Sequence, residues 1–249
     1  RELLIMTSSS HTPISLKTAA CLIGSIAVIA AGTVTAVILH GKARERAFSK
    51  LATPAFTIPG LNEGFVPQDL ALSKNDDDAS AGQDNTDNST WIFSGYDTHG
   101  GPSPLYVCPP TKEPRRLLVK LCDGSLYRGH GAAITAWGNN VYLTVDDGYL
   151  VLDRRDVLKA PDGAEVYALH HVHLPLKPAF MIAQAGKLYV GEYYCPLIYE
   201  TPTTHHLIAP DGTHNPALIF EFAADPHSLS GFSTIPTCAY SIPKEVQGL

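Results

Sequence analysis

The chain has 249 residues, of which 45% are hydrophobic and 17% charged, with a formal net charge of -6 and a pI near 6.0. This composition supplies one sizeable core and excludes a disordered tail. With no basic stripe, it also excludes nucleic-acid binding.

Arg1 opens the chain, and Met6 reads as the start of translation. The first element is Ala19–Leu39, AACLIGSIAVIAAGTVTAVIL, an uncharged apolar run long enough to cross a bilayer as a helix. It predicts a transmembrane helix over 19–39 after an N-terminal tail over 1–18. The run exceeds a signal-peptide core and is followed by HGKARER rather than a small-residue cleavage site, so it reads as an uncleaved signal anchor. Cys21 lies near the start of the run, whereas a lipidated cysteine closes one. Lys42, Arg44, Arg46 and Lys50 follow the helix, and only Lys17 and Arg1 precede it. Charge alone therefore puts the following domain in the cytoplasm, against the resemblance described below.

A stem over 40–58 leads to Pro59-Gly60, where the β domain opens. Within it, 74–90 (KNDDDASAGQDNTDNST) has no apolar residue larger than alanine and reads as a disordered acidic loop. Its Asp76-Asp77-Asp78 run lacks the ligand spacing and closing glutamate of a calcium loop. Asn88-Ser89-Thr90 is a formal glycosylation sequon.

The β domain repeats itself. Lys177–Glu200, KPAFMIAQAGKLYVGEYYCPLIYE, reads strand–turn–strand–turn–strand with Ala185-Gly186 as its first turn. Ala132–Asp153 has the same layout around Gly138-Asn139-Asn140, and a looser copy runs through Val66–Leu72, Trp91–Asp97 and Pro104–Val107. Fourth β-rich runs follow at Arg115–Leu121, Ala164–Leu174 and Ala217–Phe222. Four antiparallel strands per repeat predict an all-β propeller over 59–249, with about three blades present. Glu245–Leu249, EVQGL, is like the entry VPQDLAL and reads as the start of a further inner strand, so the domain is expected to be part of a larger propeller, with unpaired strands at its open edge.

In such a blade, first-strand starts and second-strand ends share one face of the disc. Those positions hold Gln68, His130 and Gln247, and Asp97, Asp146, Asp147, Glu192 and Tyr193; His99, Arg128 and Glu245 lie in nearby connections. The result is an acid-rich channel mouth suited to a divalent cation, calcium or zinc, or to a polar ligand. The plainer alternative is that polar residues end strands anyway. Glu192 leads the set, because it follows Leu188 and Val190 on one strand face, where a carboxylate needs a partner. His171 and His173 in LHHVHL share a strand face at a spacing zinc sites use, but on the outermost strand of a blade, where edge polarity is ordinary. His205, His206 and His214 fall in a connection assigned to the opposite face, so a joint site with the acids is not expected. The chain has no GxSxG and no glycine-rich phosphate loop, and HGGPS (99–103) is a turn. Cys108, Cys122, Cys195 and Cys238 show no CxxC spacing, which allows disulfides without requiring them.

At FVPQDLALS and EVQGL the chain resembles six-bladed propellers of the NHL-repeat, gluconolactonase-like and strictosidine-synthase-like group. Through PGL-x-x-GFVPQ-x-L (59–70) and GEYY (191–194) it is similar to membrane-anchored bacterial propellers. The resemblance implies a six-bladed parent and an extracytoplasmic domain. In gluconolactonase-like relatives a divalent metal at the channel mouth assists lactone hydrolysis; on that resemblance Glu63 and Glu192 are metal ligands and His130 a proton shuttle. The leading expectation is a membrane-tethered propeller that binds a protein, glycan or small polar ligand. The alternatives are a metal-dependent lactonase or esterase, and a structural propeller with no small-molecule site.

Overall fold

The computed structural model describes residues 57–74 and 89–248, together with Lys42 and Arg46 in a helical stretch. The predicted transmembrane helix, most of the stem and most of the acidic loop lie outside the described residues; the loop is shorter than expected at both ends, because Lys74 pairs with Ser89 and Ser73 with Thr90 in a strand ladder. Among the described residues no helix is long and apolar enough to cross a membrane. The chain divides into two units, Arg1–Thr57 and Ile58–Leu249, and the second holds the β structure.

Runs rich in Val, Ile, Leu and Tyr form the strands, as their β-branched and aromatic side chains favour. The first eight are β1 (Phe65–Lys74), β2 (Ser89–Asp97), β3 (Pro104–Cys108), β4 (Arg115–Lys120), β5 (Ile134–Trp137), β6 (Asn140–Val145), β7 (Gly148–Asp153) and β8 (Glu165–His173). One helical turn and a half, α1 (Arg154–Lys159), joins β7 to β8 and is capped by Asp153, whose side chain accepts from Asp156 N. Then come β9 (Phe180–Gln184), β10 (Lys187–Gly191), β11 (Leu207–Ile208), β12 (His214–Asn215), β13 (Ala217–Ala223) and β14 (Cys238–Ile242). Ala185 and Gly186 turn β9 into β10 with φ of 51° and 76°, the left-handed pair that a two-residue hairpin requires.

The strands do not form propeller blades. The antiparallel runs β1–β4 and β5–β8 are joined through a parallel pairing of β4 with β8, Leu118↔Glu165 to Lys120↔Tyr167. They make one eight-stranded sheet in the order β1-β2-β3-β4-β8-β7-β6-β5. Its two end strands approach each other, so the sheet is nearly closed, like a barrel. Asp69 Oδ2 accepts from Ile134 N at 2.9 Å across that closure. The physical cause of the fusion is the β7–β8 connection, which is clamped onto β4. Arg115 donates to the carbonyls of Leu158 and Ala160, Arg116 N donates to Asp162 Oδ1 at 2.7 Å, and Gly163 N donates to Arg116 O at 2.8 Å.

A separate sheet, β14-β13-β10-β9, follows, and β11 pairs with β12. Pro196–Glu200, expected as a strand, lies in a turn and contributes only the isolated bridge of Cys195 with Tyr199. The third place in this sheet is taken by β13.

Three apolar clusters hold the domain, the smallest formed by Phe65, Phe93, Tyr106 and Cys108. Ile92, Leu117, Val141, Leu150, Leu152 and Val157 fill the inside of the curled sheet. Tyr142, Tyr149 and Val151, on the opposite face of β6 and β7, pack with Leu188, Val190 and Phe222 of the second sheet. Being covered on both sides, β6 and β7 read as continuous apolar runs rather than alternating ones.

On the second sheet, Glu221 of β13 is 5% exposed and accepts from Lys187 Nζ and Tyr240 OH, each at 2.8 Å, and from Thr237 Oγ1 at 3.1 Å. The Lys187 and Tyr240 bonds lead in holding its carboxyl at about 2, below its ordinary 4.5, against the opposing effect of desolvation. A lowered folded value means the unfolded chain takes up the proton first, so this contribution is present above about 4.5 and disappears as pH falls toward about 2. Glu221→Gln is therefore expected to lower stability at neutral pH and to flatten the loss of stability through that window, as read by urea unfolding at a series of pH values.

Candidate metal centre

The turn between β6 and β7 is built from two residues, because Val145 pairs directly with Gly148 and leaves Asp146 and Asp147 at its tip. Gly148 in turn pairs with His173 on β8. A Cβ on Gly148 would lie 1.9 Å from Val172 O, so only glycine lets the two strands approach this closely. Leu174 N donates to Asp147 O at 2.9 Å and ties the end of β8 to the same turn.

β8 contributes both histidines to one face through a bulge. Its register against β7 shifts between Val151↔His170 and Leu152↔Ala168, which leaves Leu169 unpaired. Before the bulge, Val166 and Ala168 pack on the inner core. The extra residue moves His171, rather than His170, opposite the core residue Leu150, with His173 following on the same face. β8, expected as the outermost strand of a blade, is paired by β4 on its other side over Glu165–Tyr167, and the pairing stops short of His171 and His173.

Asp147 bridges the two imidazoles. Its Oδ1 lies 2.9 Å from His171 Nε2 and its Oδ2 lies 2.8 Å from His173 Nδ1. The rings stand 4.1 Å apart between centroids. Desolvation tends to raise the Asp147 carboxyl, but the charge of His171 and the bond and charge of His173 outweigh it and hold it below the usual carboxylate range. The three side chains are 59%, 30% and 70% exposed, so the group faces solvent. One ligand atom from each lies within 4.8 Å of the others, and this is the one group of three metal-ligating side chains among the described residues. Zinc bonds of about 2.0–2.1 Å set tetrahedral ligand atoms about 3.3 Å apart, a spacing between the 2.8–2.9 Å Asp–His contacts and the 4.8 Å bound on the whole cluster.

The other expected site residues have their own surroundings. Glu192, directly after β10, is buried, as its position implied, and its partners are Leu218 N at 3.0 Å and His205 Nδ1 at 2.9 and 3.0 Å. The expectation that His205 lies on the opposite face from Glu192 is therefore corrected: the connection after Glu192 folds back over β13. Asp97 accepts from the backbone N of His99 at 2.8 Å and meets its Nδ1 at 3.0 Å. His130 packs edge-on to Tyr96, and Tyr193 packs against Tyr199. Gln68 sits unpaired at a bulge in β1. Asp146 is exposed at the tip of its turn, and Glu63 is exposed in the short helical turn Leu61–Glu63. Neither Glu63 nor Glu192 belongs to a group of three metal-ligating side chains among the described residues, and neither do His205, His206 and His214. All four described cysteines are free thiols.

Gln247 lines a cleft of about 410 Å³ between β1, β5 and β9, along with Asp69, Thr135 and Met181. Burial raises the Asp69 carboxyl against the lowering effect of its bond from Ile134 N. Asp69 was visible in the sequence as an acid inside the apolar run VPQDLAL. No family model matches the chain, and no curated protein or solved structure matches it either.

Gly148→Ala is expected to push β7 from β8 where Asp147 meets His173. The overpacking costs about 1–3 kcal/mol, measurable by urea unfolding. An unchanged stability would contradict the close approach.

Proposed function

We propose that the β domain is a metal-dependent binding module that takes one zinc-class ion at Asp147, His171 and His173. The observation that carries this reading is two imidazole nitrogens of β8 and one carboxylate oxygen of the β6–β7 turn converging within 4.8 Å. Imidazole donors suit zinc and its neighbours, whereas calcium takes oxygen ligands, so zinc is preferred of the two cations considered. Three protein ligands on an exposed face leave a coordination position for water or for an acidic or imidazole group of a partner. Both histidines must be neutral to ligate, so affinity falls as pH drops and binding releases protons.

The Ala19–Leu39 run supports a membrane-tethered setting. Release of the chain from membranes by alkaline carbonate would end that part of the proposal.

Zinc titration with thermal unfolding tests the site. One equivalent is expected to bind, and zinc at a hundredfold over Kd to stabilise by about 2.7 kcal/mol. Calcium is expected to give no shift, and His171→Asn with His173→Asn to abolish the zinc effect. A shift that survives the double substitution would overturn the assignment.

A further inference from the structure

Glu192 and His205 form a second titratable pair that the metal centre does not use. Glu192 is 1% exposed, and its carboxylate accepts from Leu218 N at 3.0 Å on one side and from His205 Nδ1 at 2.9 and 3.0 Å on the other. An ionised carboxylate only accepts, so His205 carries its proton on Nδ1 and presents the Nε2 lone pair away from Glu192. No hydrogen bond engages Nε2 among the described residues, and the side chain keeps 14% exposure.

The scaffold fixes the ring. His205 closes the helical turn Thr203–His205, its backbone N donates to Pro202 O at 2.8 Å, and its ring stands edge-on to Phe220 at 6.0 Å. The neighbouring His206 is held separately, its Nε2 3.0 Å from Thr201 Oγ1. A buried carboxylate behind an imidazole, with the far nitrogen free of any protein hydrogen bond, is the base half of a carboxylate–histidine relay.

We propose that Glu192–His205 is a proton-transfer site that activates water toward small carboxylic esters. His205 Nε2 takes a proton from water as the water oxygen bonds to the acyl carbon. The protonated imidazole then returns that proton to the alkoxide as the carbon–oxygen bond to the leaving group breaks, giving acid and alcohol. His205 is the catalytic base, and Glu192 is the positioning residue that fixes its tautomer.

The test is hydrolysis of p-nitrophenyl acetate by the full chain in EDTA, which silences the metal centre. Hydrolysis above the buffer rate with a normal solvent deuterium isotope effect is expected, falling about a hundredfold or more in His205→Gln, the contribution general bases typically make. Nitrogen-15 imidazole spectra should show His205 as the Nδ1–H tautomer in the wild type and as a tautomer mixture in Glu192→Gln. An unchanged rate in folded His205→Gln, or a wild-type His205 with its proton on Nε2, would overturn the proposal. The wild-type spectrum decides even if a variant fails to fold.

Discussion

The parallel pairing of β4 with β8 is the constraint on which the rest of the domain depends. It turns two antiparallel four-stranded runs into one sheet, and only a sheet that wide can curl until β1 reaches β5 and encloses Ile92, Leu117, Val141, Leu150, Leu152 and Val157. Each such side chain contributes about 1.5–3 kcal/mol on burial, far more than the surface ion pairs, which contribute at most about 1 kcal/mol each. The pairing is held by Arg115 and Arg116, which satisfy backbone and side-chain groups of the 158–163 connection. Without them, β8 would present a long unpaired edge and the inner cluster would open.

The metal centre follows from that arrangement. With β8 fixed between β4 and β7, its bulge at Leu169 determines which histidines lie above the core, and Gly148 determines how near they come to Asp147. The two histidines therefore sit on the β8 ladder and Asp147 on the tight β6–β7 turn tied to the end of β8 by Leu174 N, at a sheet rim where the ligand atoms stay open to water. The Glu192–His205 pair has a different support. It rests on the second sheet and on the folded-back connection after β10, so the two sites depend on different parts of the domain.

Much of the local structure was legible in the sequence. The strand runs, the Ala185-Gly186 hairpin and the burial of Glu192 all follow from short-range pattern, because alternation, turn chemistry and the position of an acid on an apolar strand face are properties of a few neighbouring residues. What was not legible is long-range. Nothing near Val119 or Val166 announces that they pair in parallel, so a repeat of four strands reads as a blade when its outer strand in fact joins its neighbour. The bulge is likewise invisible in LHHVHL, because it depends on register against β7, where it sets His171 opposite Leu150. The assignment of His205 to the far face rested on propeller topology, and it fell with that topology.

Zinc-edge X-ray absorption on the metal-loaded chain tests the central claim most directly. The account predicts a first shell of two imidazole nitrogens with oxygen ligands at about 2.0–2.1 Å, losing imidazole scattering in the His171→Asn, His173→Asn double variant. An all-oxygen shell, or a spectrum identical in that variant, would contradict it.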